Sequence, residues 1–189
     1  AVYQGEGDET SLLGILMVIS IAGPQEFSDE ENLWIGSRDE VVTIRWNDGS
    51  YTGEVSDGVP EGDGIFVQPD GLKYVGSWEM GREYGHGTLT FPDGAVYVGE
   101  FQNGLRQGQG RLVDPDGDVY IGEWLGDYMD GQGTMTFVAG GMYELGAVYE
   151  GEWDWDEMGG LGVMTWGDGA KYEGHWHRSK MHGRGTLRL

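Results

Sequence analysis

Tyr97-Val98-Gly99-Glu100-Phe101-Gln102-Asn103-Gly104, followed by Gly108-Gln109-Gly110 and then Leu112, is the stretch that decides the fold. Tyr97, Gly99 and Phe101 alternate with other residues, so they share one face of a strand. Gly108, Gly110 and Leu112 alternate in the same way and share one face of a second strand. The segment between them is polar and reads as a hairpin loop. One such hairpin has almost no core of its own.

The pattern recurs. Tyr51, Tyr74, Tyr97 and Tyr120 are 23 residues apart; Tyr149 follows after 29 and Tyr172 after 23 more. Glycine stands two residues after each tyrosine. Four residues after it stands an aromatic ring: Trp78, Phe101, Trp124, Trp153 and Trp176, with Val55 the exception. Glycines recur at offsets eleven and thirteen and an apolar residue at fifteen. Pro69-Asp70-Gly71, Pro92-Asp93-Gly94, Pro115-Asp116-Gly117 and Gly167-Asp168-Gly169 are turn signals between units. Self-similarity of this kind marks a solenoid-like stack in which neighbours bury what one unit leaves open. The expected repeat core is Tyr74, Trp78, Tyr97, Phe101, Tyr120, Trp124, Tyr149, Trp153, Tyr172 and Trp176, with rings of neighbouring units stacked over bare glycine backbone. The fold class is therefore all-β: a single-layer antiparallel sheet of tandem hairpins over residues 51–189.

Residues 1–50 repeat poorly and read as a degenerate cap with an acidic loop near 24–33. Trp46-Asn47-Asp48-Gly49 looks like the end of a shortened unit. The apolar run Leu12 to Ala22 is shorter than the ~20 residues a membrane span needs, and the acidic residues before it do not suit a secretory signal. A buried strand or hairpin is the better reading. The chain begins at Ala1, which is consistent with a processed form or a fragment. The extra residues near Gly140 to Val148 read as a longer connection or a bulge. Asp127, Asp156 and Ser179 replace the turn glycine at offset seven and put the geometry of those loops in question.

Glycine occurs 37 times, and the net charge is −22 from 33 acidic and 11 basic residues. The aromatic content is too high for a disordered chain. The charge argues against nucleic acid as a partner and against direct binding to anionic membranes; it favours basic partners. The absence of cysteine excludes disulfides and thiolate metal sites.

Residues that carry chemistry elsewhere have plainer readings here. Gly-x-Gly lacks the Lys-Ser/Thr and the strand-to-helix setting of a phosphate loop. Asp114, Asp116 and Asp118 resemble a calcium loop, but the glycine falls at position four instead of six, so a turn is expected. His175, His177 and His182 are weak metal candidates, with His182 placed in a loop. No Ser-His-Asp signature is visible, and no cofactor or catalytic residue is assigned. Glu54, Glu100, Glu123 and Glu152, three residues after their tyrosines, form a row opposite the rings. That row is either a solvated face or an acidic track for a basic partner. Val75, Val98 and Ile121 add an apolar row on the same face, a candidate partner site.

The repeated residues resemble the MORN-repeat family (membrane occupation and recognition nexus), whose pattern runs roughly Y-x-G-x-W-x-x-G-x-x-x-G-x-G. The resemblance implies an elongated, twisted antiparallel sheet of about fourteen strands, with exposed ends that pair with other chains or with another copy. It further implies a non-catalytic assembly scaffold, a structural subunit of a cytoskeletal, ciliary or membrane-associated complex. The alternatives it leaves are a lipid-binding module and a regulatory repeat domain of a larger enzyme. The expected location is intracellular, cytoplasmic or cytoskeletal, with an organelle left open if a targeting segment has been removed.

Overall fold

The computed structural model describes residues 41–138 and 145–189, all within one compact unit, Trp34–Leu189. The expectations for Leu12 to Ala22 and for the acidic loop at 24–33 lie outside the described residues. The strands are β1 (Val42–Trp46), β2 (Gly49–Ser56), β3 (Val59–Val67), β4 (Lys73–Glu79), β5 (Arg82–Thr90), β6 (Val96–Gln102), β7 (Leu105–Val113), β8 (Val119–Leu125), β9 (Tyr128–Thr136), β10 (Val148–Asp154), β11 (Glu157–Thr165), β12 (Lys171–His177) and β13 (Lys180–Arg188). They form one open antiparallel sheet in chain order.

The rings explain how one layer makes a core. Each repeat tyrosine lies flat along the sheet, and its hydroxyl donates to the carbonyl three residues on, as Tyr97 does to Glu100 O at 3.0 Å. The ring then covers a line of glycines that runs strand to strand from Gly53 through Gly64, Gly76 and Gly87 to Gly99 and Gly110, and on to Gly185. A Cβ on Gly110 would land inside the Tyr97 ring. The rings lie over bare glycine backbone, as the sequence suggested. They form an edge-to-face chain: Tyr74 meets Trp78 of its own unit and Phe101 of the next, Tyr97 meets Phe101 and Trp124, and so on. Centroids are 5.0–5.3 Å apart at 79–90°, the geometry that aromatic quadrupoles favour at about 0.5–1.5 kcal/mol per pair. All ten expected core residues are buried. Burial pushes the phenols of Tyr51, Tyr74, Tyr97 and Tyr120 well above their ordinary pKa.

The hairpin loops are shorter than the polar segments suggested. Each unit turns on two residues, both at positive φ: Asp57/Gly58, Met80/Gly81, Asn103/Gly104, Gly126/Asp127, Trp155/Asp156 and Arg178/Ser179. This is the type I′ turn, whose twist matches that of the strands. The turn survives the loss of glycine because the residue at offset seven also latches onto the preceding unit. Its N–H donates to the carbonyl of the offset-nine residue there: Gly81 to Pro60, Gly104 to Glu83, Asp127 to Arg106, Asp156 to Met129 and Ser179 to Met158, at 2.9–3.1 Å. The N–H of that offset-nine residue then needs an acceptor. Pro60 has none to satisfy, and Glu83 uses its own carboxylate. Arg106, Met129 and Met158 donate to Asp127 Oδ1, Asp156 Oδ1 and Ser179 Oγ at 2.9, 2.7 and 3.1 Å. Glycine is thus retained where no side-chain acceptor is required.

Between units, Gln68, Phe91, Asp114 and Trp166 each donate their N–H to the carbonyl four residues on. At the long connection Phe137 N donates to Ala147 O at 2.9 Å, and pairing resumes with Val148 opposite Thr136. The added residues therefore lengthen the connection and leave the strands without an extra bulge.

Glu83 is the one charged residue at an offset-nine position whose pKa is raised. Burial is the main cause and the Asp127 charge adds to it, against the pull of its own N–H. Methionine fills the same place in three later units, at Met129, Met158 and Met181. The folded chain holds the Glu83 proton more tightly than the unfolded chain, so its contribution favours folding at low pH. That contribution is lost as pH rises from the ordinary 4.5 through the folded value. Glu83→Gln, which removes the charge and keeps an acceptor for the N–H, is expected to raise Tm by a few degrees at pH 7 and by less near pH 4.5. Calorimetry at both values checks this, and an equal shift at the two would remove the carboxylate as the cause.

Candidate interaction face

The face opposite the rings is built by residues at odd offsets on the first strand of each unit. Its organising element is a bulge. In every unit the register of the two strands slips beside the offset-two glycine, at Gly99/Phe101 for example, and the first glycine of Gly-x-Gly absorbs the extra length at positive φ. Gly108 has φ 67, and a Cβ there would meet Glu100 Oε2 at 2.6 Å.

The acidic row sits on these bulges. Glu54, Glu100, Glu123 and Glu152 lie against Gly62, Gly108, Gly131 and Gly160. Glu100 Oε1 accepts the Gln109 N–H and Glu152 Oε1 the Leu161 N–H, both at 2.9 Å. All four carboxylates are half-buried, and the bonds of Glu100 and Glu152 give the row a bracing role that charge counting alone did not reveal. The signal was present: the acid recurs with Gly-x-Gly. Where it is absent, Ser77 Oγ bonds Asp63 Oδ1 at 3.0 Å instead.

Val75 is half-buried, and Val98 and Ile121 are 48% and 54% exposed. They belong to one line across the sheet in which Val75 pairs with Ile65 and Thr88, and Ile121 with Arg111 and Thr134. Toward β13 this face holds a shallow trough of about 890 Å³ in which Ile121, Thr134, Glu150, Val163 and Glu173 follow one another from strand to strand, with Glu123 beside them.

The three histidines come together at the β12–β13 hairpin. His182 lies in β13 and not in a loop, opposite His175, because the turn takes only Arg178 and Ser179. The His177 and His182 rings are 5.7 Å apart. Among the described residues no group of three histidine, aspartate or glutamate side chains is placed to hold a metal ion. At the calcium-like loop, Asp114 Oδ1 accepts the N–H groups of Asp116 and Asp118 at 3.0 and 2.9 Å, and Asp118 Oδ1 accepts Val138 N–H at 2.6 Å. The Asp114 carboxylate is thus taken up by the turn and that of Asp118 by the backbone after β9.

Sequence reading missed a further set. Leu105, Leu125, Tyr128 and Trp155 are exposed near the hairpin turns. They had been assigned to polar loops, where apolar residues carry no periodic signal.

The MORN repeat model matches six consecutive segments, residues 51–73, 74–96, 97–119, 120–142, 149–171 and 172–189, more than half of the chain. No curated protein matches the sequence. MORN repeats are in general protein- and membrane-interaction repeats, and this all-β repeat is a non-catalytic type.

Proposed function

Because the chain belongs to the MORN-repeat family, we propose that it is a non-catalytic scaffold for protein assembly, a structural subunit that offers the face opposite its rings to partners with basic surfaces. The observation that carries this reading is the pairing, on that face, of exposed Val98 and Ile121 with carboxylates already fixed by the bulges. Fixed charges steer and orient a partner at little cost in side-chain ordering. The proposed setting is a cytoplasmic or cytoskeletal complex.

Tagged full-length chain recovered from native extract, with cross-linking to map the contact, tests the proposal. Specific polypeptides are expected on the wild type and are expected to be lost from Ile121→Arg, a change at an exposed position whose new charge opposite Arg111 lowers Tm by a few degrees at most. A wild type that stays monomeric and captures nothing counts against the scaffold reading. So does an Ile121→Arg variant that keeps every partner. Co-sedimentation with anionic vesicles at low salt would replace it with the lipid reading.

A further inference from the structure

Leu105, Leu125 and Tyr128 stand 45%, 49% and 41% exposed on the face opposite the rings, close to the hairpin turns, and Trp155 in the next turn is 60% exposed. The Tyr128 and Trp155 rings meet at 4.6 Å, and the four residues come from β7, β8, β9 and the turn between β10 and β11. Trp155 occupies the left-handed region at φ 49. The matching turn position elsewhere holds Asp57, Asn103 and Gly126, which a type I′ turn favours, and Met80 and Arg178, which like Trp155 it does not. A tryptophan here is strained and remains in solvent. Trp155 is the one aromatic ring at these turn positions, and its exposed surface joins the strip.

One step inward run Glu100, Glu123 and Glu152, on β6, β8 and β10. They lie on alternate strands, so their spacing is about 10 Å. Asp154 and Glu157 add exposed charge at one end of the strip. Arg106 faces the rings and is paired with Asp127, and Arg111 lies a further row inward, opposite Val98 and Ile121. An apolar floor flanked by a line of carboxylates calls for a cationic amphipathic ligand. In an α-helix, residues seven apart are about 10.5 Å apart along the axis, close to the spacing of the acids. Same-face residues of an extended strand repeat at about 6.7 Å and fall out of step.

We propose that this strip docks an amphipathic α-helix of a partner protein, with Lys or Arg at heptad spacing along one flank and apolar residues on the strip. The proposal rests on the scaffold reading and names the partner's chemistry.

The test titrates the full chain with a synthetic amphipathic peptide of about 18 residues carrying lysines seven apart, followed by calorimetry and by circular dichroism for peptide helicity. Binding accompanied by a gain of helix is expected. Trp155→Asn is expected to weaken it by about tenfold or more while Tm holds or rises, since asparagine suits the turn; a merely structural tryptophan would lower Tm. Tyr128→Ser and Glu123→Gln, which keeps an acceptor for the bulge, are expected to weaken binding as well. The proposal is overturned if the peptide does not bind, if a lysine-scrambled or proline-broken peptide of the same composition binds equally, or if Trp155→Asn binds like wild type. If Trp155→Asn loses no partner from native extract while Ile121→Arg does, the scaffold reading stands and the helix site falls.

Discussion

Gly110→Ala is expected to destabilise the chain by about 3–4 kcal/mol, read as a drop in the denaturant midpoint of the full-length protein. The methyl would occupy the volume of the Tyr97 ring, with the partner strand's Gly99 opposite. Tilting the ring off the sheet loses much of its burial, about 1.5–3 kcal/mol for a large side chain. It also weakens two edge-to-face contacts, with Phe101 and Trp124, and the hydroxyl bond to Glu100 O, each about 1 kcal/mol. Gly117→Ala is the control. It has φ 93 with nothing within 4 Å of a Cβ, so only the backbone penalty of about 1–2 kcal/mol applies. A double-mutant cycle with Tyr97→Ala isolates the clash: once the ring is gone, Gly110→Ala should cost little more than ordinary strand substitution. An additive cycle would mean that the ring and the glycine do not meet.

Asp127→Ala should cost about 3 kcal/mol and Asp127→Gly about 1 kcal/mol less. The Asp127 carboxylate accepts both the Arg106 N–H at 2.9 Å and Arg106 Nε at 3.1 Å, and its carbonyl accepts Arg106 Nη2 at 2.6 Å. The guanidinium lies 4.3 Å over the Trp124 ring, and its side chain is only 17% exposed. Removing the carboxylate leaves a shielded cation and a backbone N–H short of an acceptor, about 1.5–3 kcal/mol for bonds to charged groups. Alanine adds strain at φ 75, which glycine avoids. Equal losses for the two variants would show that the turn carries no strain; no loss in either would dismiss the latch. Arg106→Met, which installs the residue found at Met129 and Met158, should reduce the cost of either change.

The sheet was legible because its repeat is written in two periods at once, two within strands and 23 between units. The rings and glycines that face inward obey both. The hairpin turns were not legible, since Met80, Trp155 and Arg178 occupy left-handed positions without looking like turn residues. Polarity at offsets five and eight reflects a solvent-facing sheet surface, yet it read as loop. That single misreading moved His182 into a loop and hid Leu105, Leu125 and Tyr128. The acidic row was found by spacing, but its brace on the Gly-x-Gly bulge depends on a two-residue register slip that spacing alone does not display. The acceptor role of Asp127, Asp156 and Ser179 was hidden for a different reason: their partners lie in the preceding unit, 21 or 27 residues away.

That last pairing bears on how such a chain lengthens by duplication. Arg106 and Asp127 are matched through the guanidinium as well as the N–H, whereas Asp156 and Ser179 meet only the backbone N–H of Met129 and Met158, and each pair straddles the boundary that begins a unit at its tyrosine. A gene segment copied from tyrosine to tyrosine would carry Asp127 away from Arg106 and set it behind whatever residue the neighbouring copy supplies. A segment copied from one turn to the next keeps donor and acceptor together. The segment that keeps the Arg106–Asp127 contact whole is therefore offset from the visible unit by about a third of its length, with its ends at the hairpin tips.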